Sequence, residues 1–215
     1  AALPASVELE ALLGLLRQLV WESCDILRAY ARGEQPPFGY PAALSVDEGG
    51  EGPVSAADLA VNQHLLEGLR RGFPDAPWTL LSEETAAEQM ASGEPLPGEW
   101  IWILDPLDGT KDFLQGTGEY AVHLALVRQQ RPVLGVVLQP EREEVWFGLV
   151  DEQKAWCETR DGTQRPAQLS SRAQRSDLVL VASRNHRDER LERLLEALAL
   201  GDTKAIGSVG GKVAT

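Results

Sequence analysis

Apolar side chains recur at Val7, Leu9, Leu12, Leu13, Leu16, Val20, Cys24, Ile26 and Leu27, and Gly33 follows them. This is the three-and-four spacing of one helix face closed by a stop, so residues 6–32 are predicted to form a long amphipathic helix. Residues 34–52 are rich in Gly, Pro and acid and read as a loop or short hairpin within one lobe. Ser55 stands three residues before Asp58, the spacing of a helix N-terminus, and Val61, Leu65, Leu66 and Leu69 carry the second helix to about Arg71.

From residue 79 onward the period shortens. Residues 79–84 and 99–106 read as strands that both end in acid. Residues 120–127, 133–139, 144–149, 153–158 and 166–169 follow as a meander of antiparallel strands, with a turn at Arg160–Asp161–Gly162. The texture then changes to an apolar strand over 178–184, a helix over 189–200 and a strand with a glycine turn over 203–211. The expected organisation is an N-terminal α+β lobe, 1–174, carrying the site, and an α/β lobe beginning at 175–215. The closing GGKVAT reads as the first turn of a helix, and two strands with one complete helix could not cover a sheet. The second lobe is therefore expected to be incomplete.

The 215 residues are 43% hydrophobic and 25% charged, ordinary for a globular chain, and hold no apolar run long enough to span a bilayer. AALPASVELEALLGLL has no basic segment ahead of its apolar stretch, so no secretory signal is expected. Cys24 and Cys157 form no CxxC pair or disulfide framework; they read as buried small hydrophobes in a reducing cytoplasm. A net charge of −13 argues against a nucleic-acid polymer as partner. It also makes an anionic substrate puzzling unless some acids hold divalent cations, which invert the local field.

Candidate chemistry centres on Asp105-Pro106-Leu107-Asp108-Gly109-Thr110. Two carboxylates and the Leu107 carbonyl on one sharp turn supply the hard oxygen donors that suit Mg²⁺, and no His/Cys cluster offers a zinc site. The same residues also make a favoured turn. Glu83-Glu84 at the end of another strand and Asp58 at a helix start add acids that repel one another unless a cation joins them. His64 and His123 read as structural, and Trp78, Trp100, Trp102 and Trp146 as core. His186, beside Arg184 in a strand-to-helix turn, is placed where anions bind, and Arg187–Arg193 reads as a solvated helix face.

In order and spacing, Asp58, Glu83-Glu84 and Asp105-Pro106-Leu107-Asp108-Gly109-Thr110 resemble the lithium-sensitive, magnesium-dependent inositol monophosphatase superfamily. Lys111-Asp112-Phe113, Ala182-Ser183-Arg184-Asn185-His186 and Gly207-Ser208 with Lys212 look more like its 3′(2′),5′-bisphosphate nucleotidase branch. The resemblance implies a layered αβαβα sandwich of the sugar/inositol phosphatase type. It implies two or three Mg²⁺ ions held by Glu84, Asp105, the Leu107 carbonyl and Asp108, with Glu83 behind them. Asp58 paired with Thr110 would orient and deprotonate the attacking water. Gly109, Lys111, Asp112, Ser183, Arg184, His186, Gly207, Ser208 and Lys212 would face the substrate. The implied reaction removes the 3′-phosphate of adenosine 3′,5′-bisphosphate or its phosphosulfate relative, by a cytoplasmic monomer or homodimer.

The chain departs from the family pattern in three ways. No Trp-Asp pair, the family's last metal ligand, occurs; Pro53-Val54-Ser55 replaces Pro-Val-Thr; and Asp47 to Gly52 stands where a lysine is often found. Two other readings follow. One is an inositol-1-phosphate or fructose-1,6-bisphosphate phosphatase on the same scaffold, the other a catalytically silent metal-binding or interaction protein.

Overall fold

The computed structural model describes residues 3–42, 46–49, 52–83, 86, 98–183, 193, 197–198 and 202–214. Helix α1 (Leu9–Arg32) begins where the Glu8 carboxylate accepts from the amides of Glu10 and Ala11. It ends at Gly33 in the left-handed region (φ 68°), after which the Glu34 amide bonds back to Ala29 O at 2.9 Å. Its stripe of Leu12, Leu16, Leu19, Val20, Ile26 and Leu27 is fully buried, as the spacing predicts. Strands β1 (Val46–Gly49) and β2 (Gly52–Ser55) form the hairpin foreseen in the Gly/Pro-rich stretch, and α2 (Ala56–Gly72) follows directly. Helix α2 lies close on α1: a Cβ at Gly68 would come within 3.0 Å of the Leu19 side chain.

Seven strands make the main sheet, paired in chain order: β3 (Trp78–Ser82), β4 (Trp100–Asp108), β5 (Ala121–Arg128), β6 (Arg131–Gln139), β7 (Glu144–Leu149), β8 (Lys154–Thr159) and β9 (Gln164–Pro166). The meander from β4 to β9 is antiparallel, whereas β3 runs parallel to β4. The last strand lies earlier than 166–169, and Leu169 is fully exposed. Alternation divides the sheet into two faces. Trp102, Leu104, Val122, Leu124, Leu126, Leu134, Val136, Val145 and Phe147 join the α1/α2 side chains in one core. The opposite face carries smaller and more polar groups, among them Asp105, His123, Gly135, Val137 and Gly148.

The α1 layer is also tied to the far strands by charge. Arg17 donates from Nε and Nη2 to both oxygens of Glu158, each at 2.8 Å, while Trp156 Nε1 (2.6 Å) and Gln164 Nε2 (2.9 Å) donate to Oε1. Burial alone would raise the Glu158 pKa, but the hydrogen bonds from Arg17 and Trp156 outweigh it and hold it below the usual range.

Helix α3 (Thr110–Leu114) follows β4, and strands β10 (Val179–Ser183) and β11 (Asp202–Ile206) pair in parallel as a separate two-stranded sheet. Helix α4 (Val209–Val213), capped by the Ser208 hydroxyl, rests on the second face of the main sheet, with Gly210 against Ala121, His123 and Val137. The helix expected over 189–200 lies almost wholly outside the described residues, as does most of the charged segment Arg187–Arg193. Helices on one face, a central sheet, a short helix on the other and a second sheet beyond it make a layered α/β sandwich. Two tryptophans meet the expectation differently: Trp102 is fully buried in the core, whereas Trp146 is half-buried on the second face with the Arg165 guanidinium over its ring, 4.8 Å from the centroid.

Candidate active site

Asp105 and Asp108 are three residues apart, so in a regular strand their side chains would leave opposite faces. Strand β4 avoids this. Asp105 pairs with His123 and Asp108 with Ala121, so three steps on β4 match two on β5, a bulge at Pro106-Leu107. Proline suits that position because it has no N–H to leave unpaired. The bulge returns Asp108 to the face of Asp105, and His123 reaches both: Nδ1 lies 3.7 Å from Asp105 Oδ2 and Nε2 3.3 Å from Asp108 Oδ2.

The electrostatics match this convergence. Asp105 is pushed up to about 7, first by burial and then by the charges of Glu83 and Asp108, against the pull of the Leu107 amide, which donates to Asp105 Oδ1 at 3.2 Å. Burial lowers the His123 pKa more than the charge of Asp108 raises it. Mutually repelling oxygen donors beside a backbone carbonyl are a set that a hard divalent cation relieves, and the residues fit such an ion. Among the described residues no three His, Cys, Asp or Glu side chains yet converge closely enough to hold one. Glu84, expected in this set, lies outside the described residues.

The other expected site residues divide into groups. Asp58 is buried in the first turn of α2. The Thr110 hydroxyl, expected to pair with Asp58, donates instead to the Leu107 carbonyl at 3.1 Å, so its one proton is committed to the turn. Gly109 takes φ 89°, and a Cβ there would lie 3.0 Å from Glu119 O. Lys111 is exposed. Asp112, expected at the substrate, is buried, accepts from the Thr117 hydroxyl at 2.9 Å and packs against Gly207. Ser208 likewise has a local partner, accepting from the Gly211 amide at 2.9 Å.

The Gly207 amide donates to Glu119 Oε2 at 2.6 Å, which ties the β11–α4 turn to the segment before β5, and Lys212 is half-buried in α4. Ser183 ends β10; Arg184 and His186 lie outside the described residues. His123, which the sequence alone suggests is structural, stands at the acids. Only the β4/β5 register reveals that, since it makes His123 the direct partner of Asp105. A groove of 1160 Å³ on the same face, beside Trp146 and Arg165, has Glu144 in its lining but not Asp58, Asp105 or Asp108.

Fold and acid turn together define a layered α/β protein with a carboxylate site at the bulged end of a central strand. The model of the inositol monophosphatase family matches residues 8–215, and the chain belongs to that family. It is similar to the 3′(2′),5′-bisphosphate nucleotidase CysQ of Salmonella typhimurium, 39% identical over 160 residues, which are 74% of this chain and 60% of that protein. The CysQ of Escherichia coli K12 is 37% identical over 165 residues, 76% of this chain and 62% of the relative. The chain thus spans about 60% of the length of these curated relatives.

Among solved structures, an IMPase/NADP phosphatase complexed with NADP and Ca²⁺ superposes with TM-score 0.73 at 16% identity, covering 95% of this chain and 70% of that one. The suhB protein of Bartonella henselae gives TM-score 0.69 at 24% identity, with 92% and 71% covered. These likenesses establish the fold.

Proposed function

We propose that the chain carries the metal-binding acids of a phosphomonoester hydrolase that removes the 3′-phosphate of adenosine 3′,5′-bisphosphate or its phosphosulfate relative. The observation that carries the reading is the bulge in β4, which turns Asp105 and Asp108 onto one face, where burial, Glu83 and Asp108 push Asp105 up to about 7. The likeness to the two CysQ nucleotidases favours this substrate over an inositol phosphate.

Asp105, Asp108, the Leu107 carbonyl and Glu84 would hold Mg²⁺, two or three ions in all, with Glu83 behind them. A cation there supplies Lewis acidity towards phosphoryl oxygens and water. The chain's own residues do the rest. Asp58, buried in the first turn of α2, is the proposed base for the attacking water. Thr110 holds the Leu107 carbonyl in place, and Gly109, at φ 89°, lets the backbone turn where a Cβ would press on Glu119 O. Lys111, exposed beside this turn, offers a positive charge to the non-scissile phosphate.

The test is phosphate release by the chain with Mg²⁺ from adenosine 3′,5′-bisphosphate, inositol-1-phosphate and fructose-1,6-bisphosphate. The nucleotide is expected to lead by more than about tenfold, roughly 1.4 kcal/mol of discrimination. A smaller preference defeats the nucleotide assignment. No turnover of any substrate, with magnesium bound, supports the silent metal-binding reading instead.

A further inference from the structure

We infer that His123 and the backbone amide of Gly210 act as a paired positioning device for Asp108, fixing how this carboxylate meets a divalent cation. The inference rests on the reading of Asp108 as a metal ligand given above. Both groups address the same oxygen. The Gly210 amide donates to Asp108 Oδ2 at 3.0 Å, and His123 places Nε2 at 3.3 Å from it. The His123 contact is a close polar approach rather than an aligned hydrogen bond. Nε2 is buried with no hydrogen-bond partner, so this polar edge of the ring is directed at Asp108. With Oδ2 engaged from two sides, the carboxylate plane is set and Oδ1 is the oxygen offered to an ion.

The two groups depend on each other. Helix α4 can bring its amide to Asp108 only because residue 210 has no side chain: a Cβ there would come within 3.0 Å of His123 Nε2, and also of Ala121 and Val137. The turn before α4 is close-packed as well, since a Cβ at Gly207 would come within 3.0 Å of the Asp112 carboxylate. The turn joining β11 to α4 therefore reaches across a chain separation of 102 residues to hold an acid of the β4 bulge. Gly210, to which the resemblance assigns no role, thus acts on the metal ligand.

The experiment is a calorimetric magnesium titration of wild type, H123A, H123N, G210A and the H123A/G210A double variant, each with its melting temperature. H123A is expected to weaken magnesium binding about 10–100-fold, the range for groups that orient metal ligands. H123N, which keeps a polar group, should lose less. G210A should weaken binding in the wild-type background but cost much less when His123 is absent, a non-additive cycle.

Variants that melt lower yet bind magnesium within about twofold of wild type would show a purely structural role and overturn the inference. Additive losses would overturn the pairing. If H123A fails to fold, H123N and G210A decide the matter by the same criteria. No uptake by wild type would sink the metal reading and this inference together, an outcome distinct from binding that the variants leave unchanged.

Discussion

Replacing Asp105 with asparagine should make the metal-free protein more stable while removing its response to magnesium. The carboxyl's ordinary value is 3.8 and the fold raises it to about 7, chiefly by burial and then by Glu83 and Asp108. Because the folded value is the higher one, proton binding favours the fold. That stabilisation is complete below the unfolded value and disappears as pH climbs through about 7. At about 1.4 kcal/mol per pKa unit the ceiling is roughly 4 kcal/mol. The Asp105 side chain is 32% exposed, and solvent screening brings the figure to on the order of 2 kcal/mol. An asparagine keeps the shape without the charge, so D105N should melt on the order of 5 °C above wild type at pH 8 in a chelator, with the gap closing towards pH 4. Thermal unfolding followed by circular dichroism reads this directly. A D105N variant equal to or less stable than wild type at pH 8 would refute the picture of crowded, repelling carboxylates.

Two further outcomes follow from other parts of the structure. R17A leaves the buried Glu158 without its bidentate partner and should cost about 3 kcal/mol, on the order of 10 °C in melting temperature. R17A/E158Q should recover part of the loss, and an R17A variant that melts like wild type would contradict the buried-pair account. G109A forces an L-residue to φ 89° and a Cβ to 3.0 Å from Glu119 O, so it should destabilise by about 1–3 kcal/mol and weaken magnesium binding. Unchanged affinity in a G109A protein of wild-type stability would show that the turn relaxes freely.

Local order was legible where the signal is local. The α1 stripe, its Gly33 stop and the antiparallel run from β5 to β9 follow from period and turn residues, and Asp105-Pro106-Leu107-Asp108-Gly109 marks a sharp turn at a strand end. What the sequence hid is what long-range pairing creates. The parallel neighbour β3 has no local mark. Arg17 and Glu158 lie 141 residues apart, and their bond appears only once α1 lies on the sheet. His123 looked like any strand histidine until register placed it opposite Asp105. Gly210 looked like a helix-start residue until its missing side chain proved to be what admits α4 to Asp108. Asp112 and Ser208, which only the resemblance places at the substrate, also have local partners in Thr117 and Gly211.

The central claim is that remote acids share one place because a divalent cation joins them. A magnesium titration of the intact chain by isothermal calorimetry tests it most directly. The account predicts saturable uptake at pH 8, lost in D105N and in D108N while both variants remain folded. Absence of uptake by the wild-type chain, or uptake that both variants retain, would contradict it.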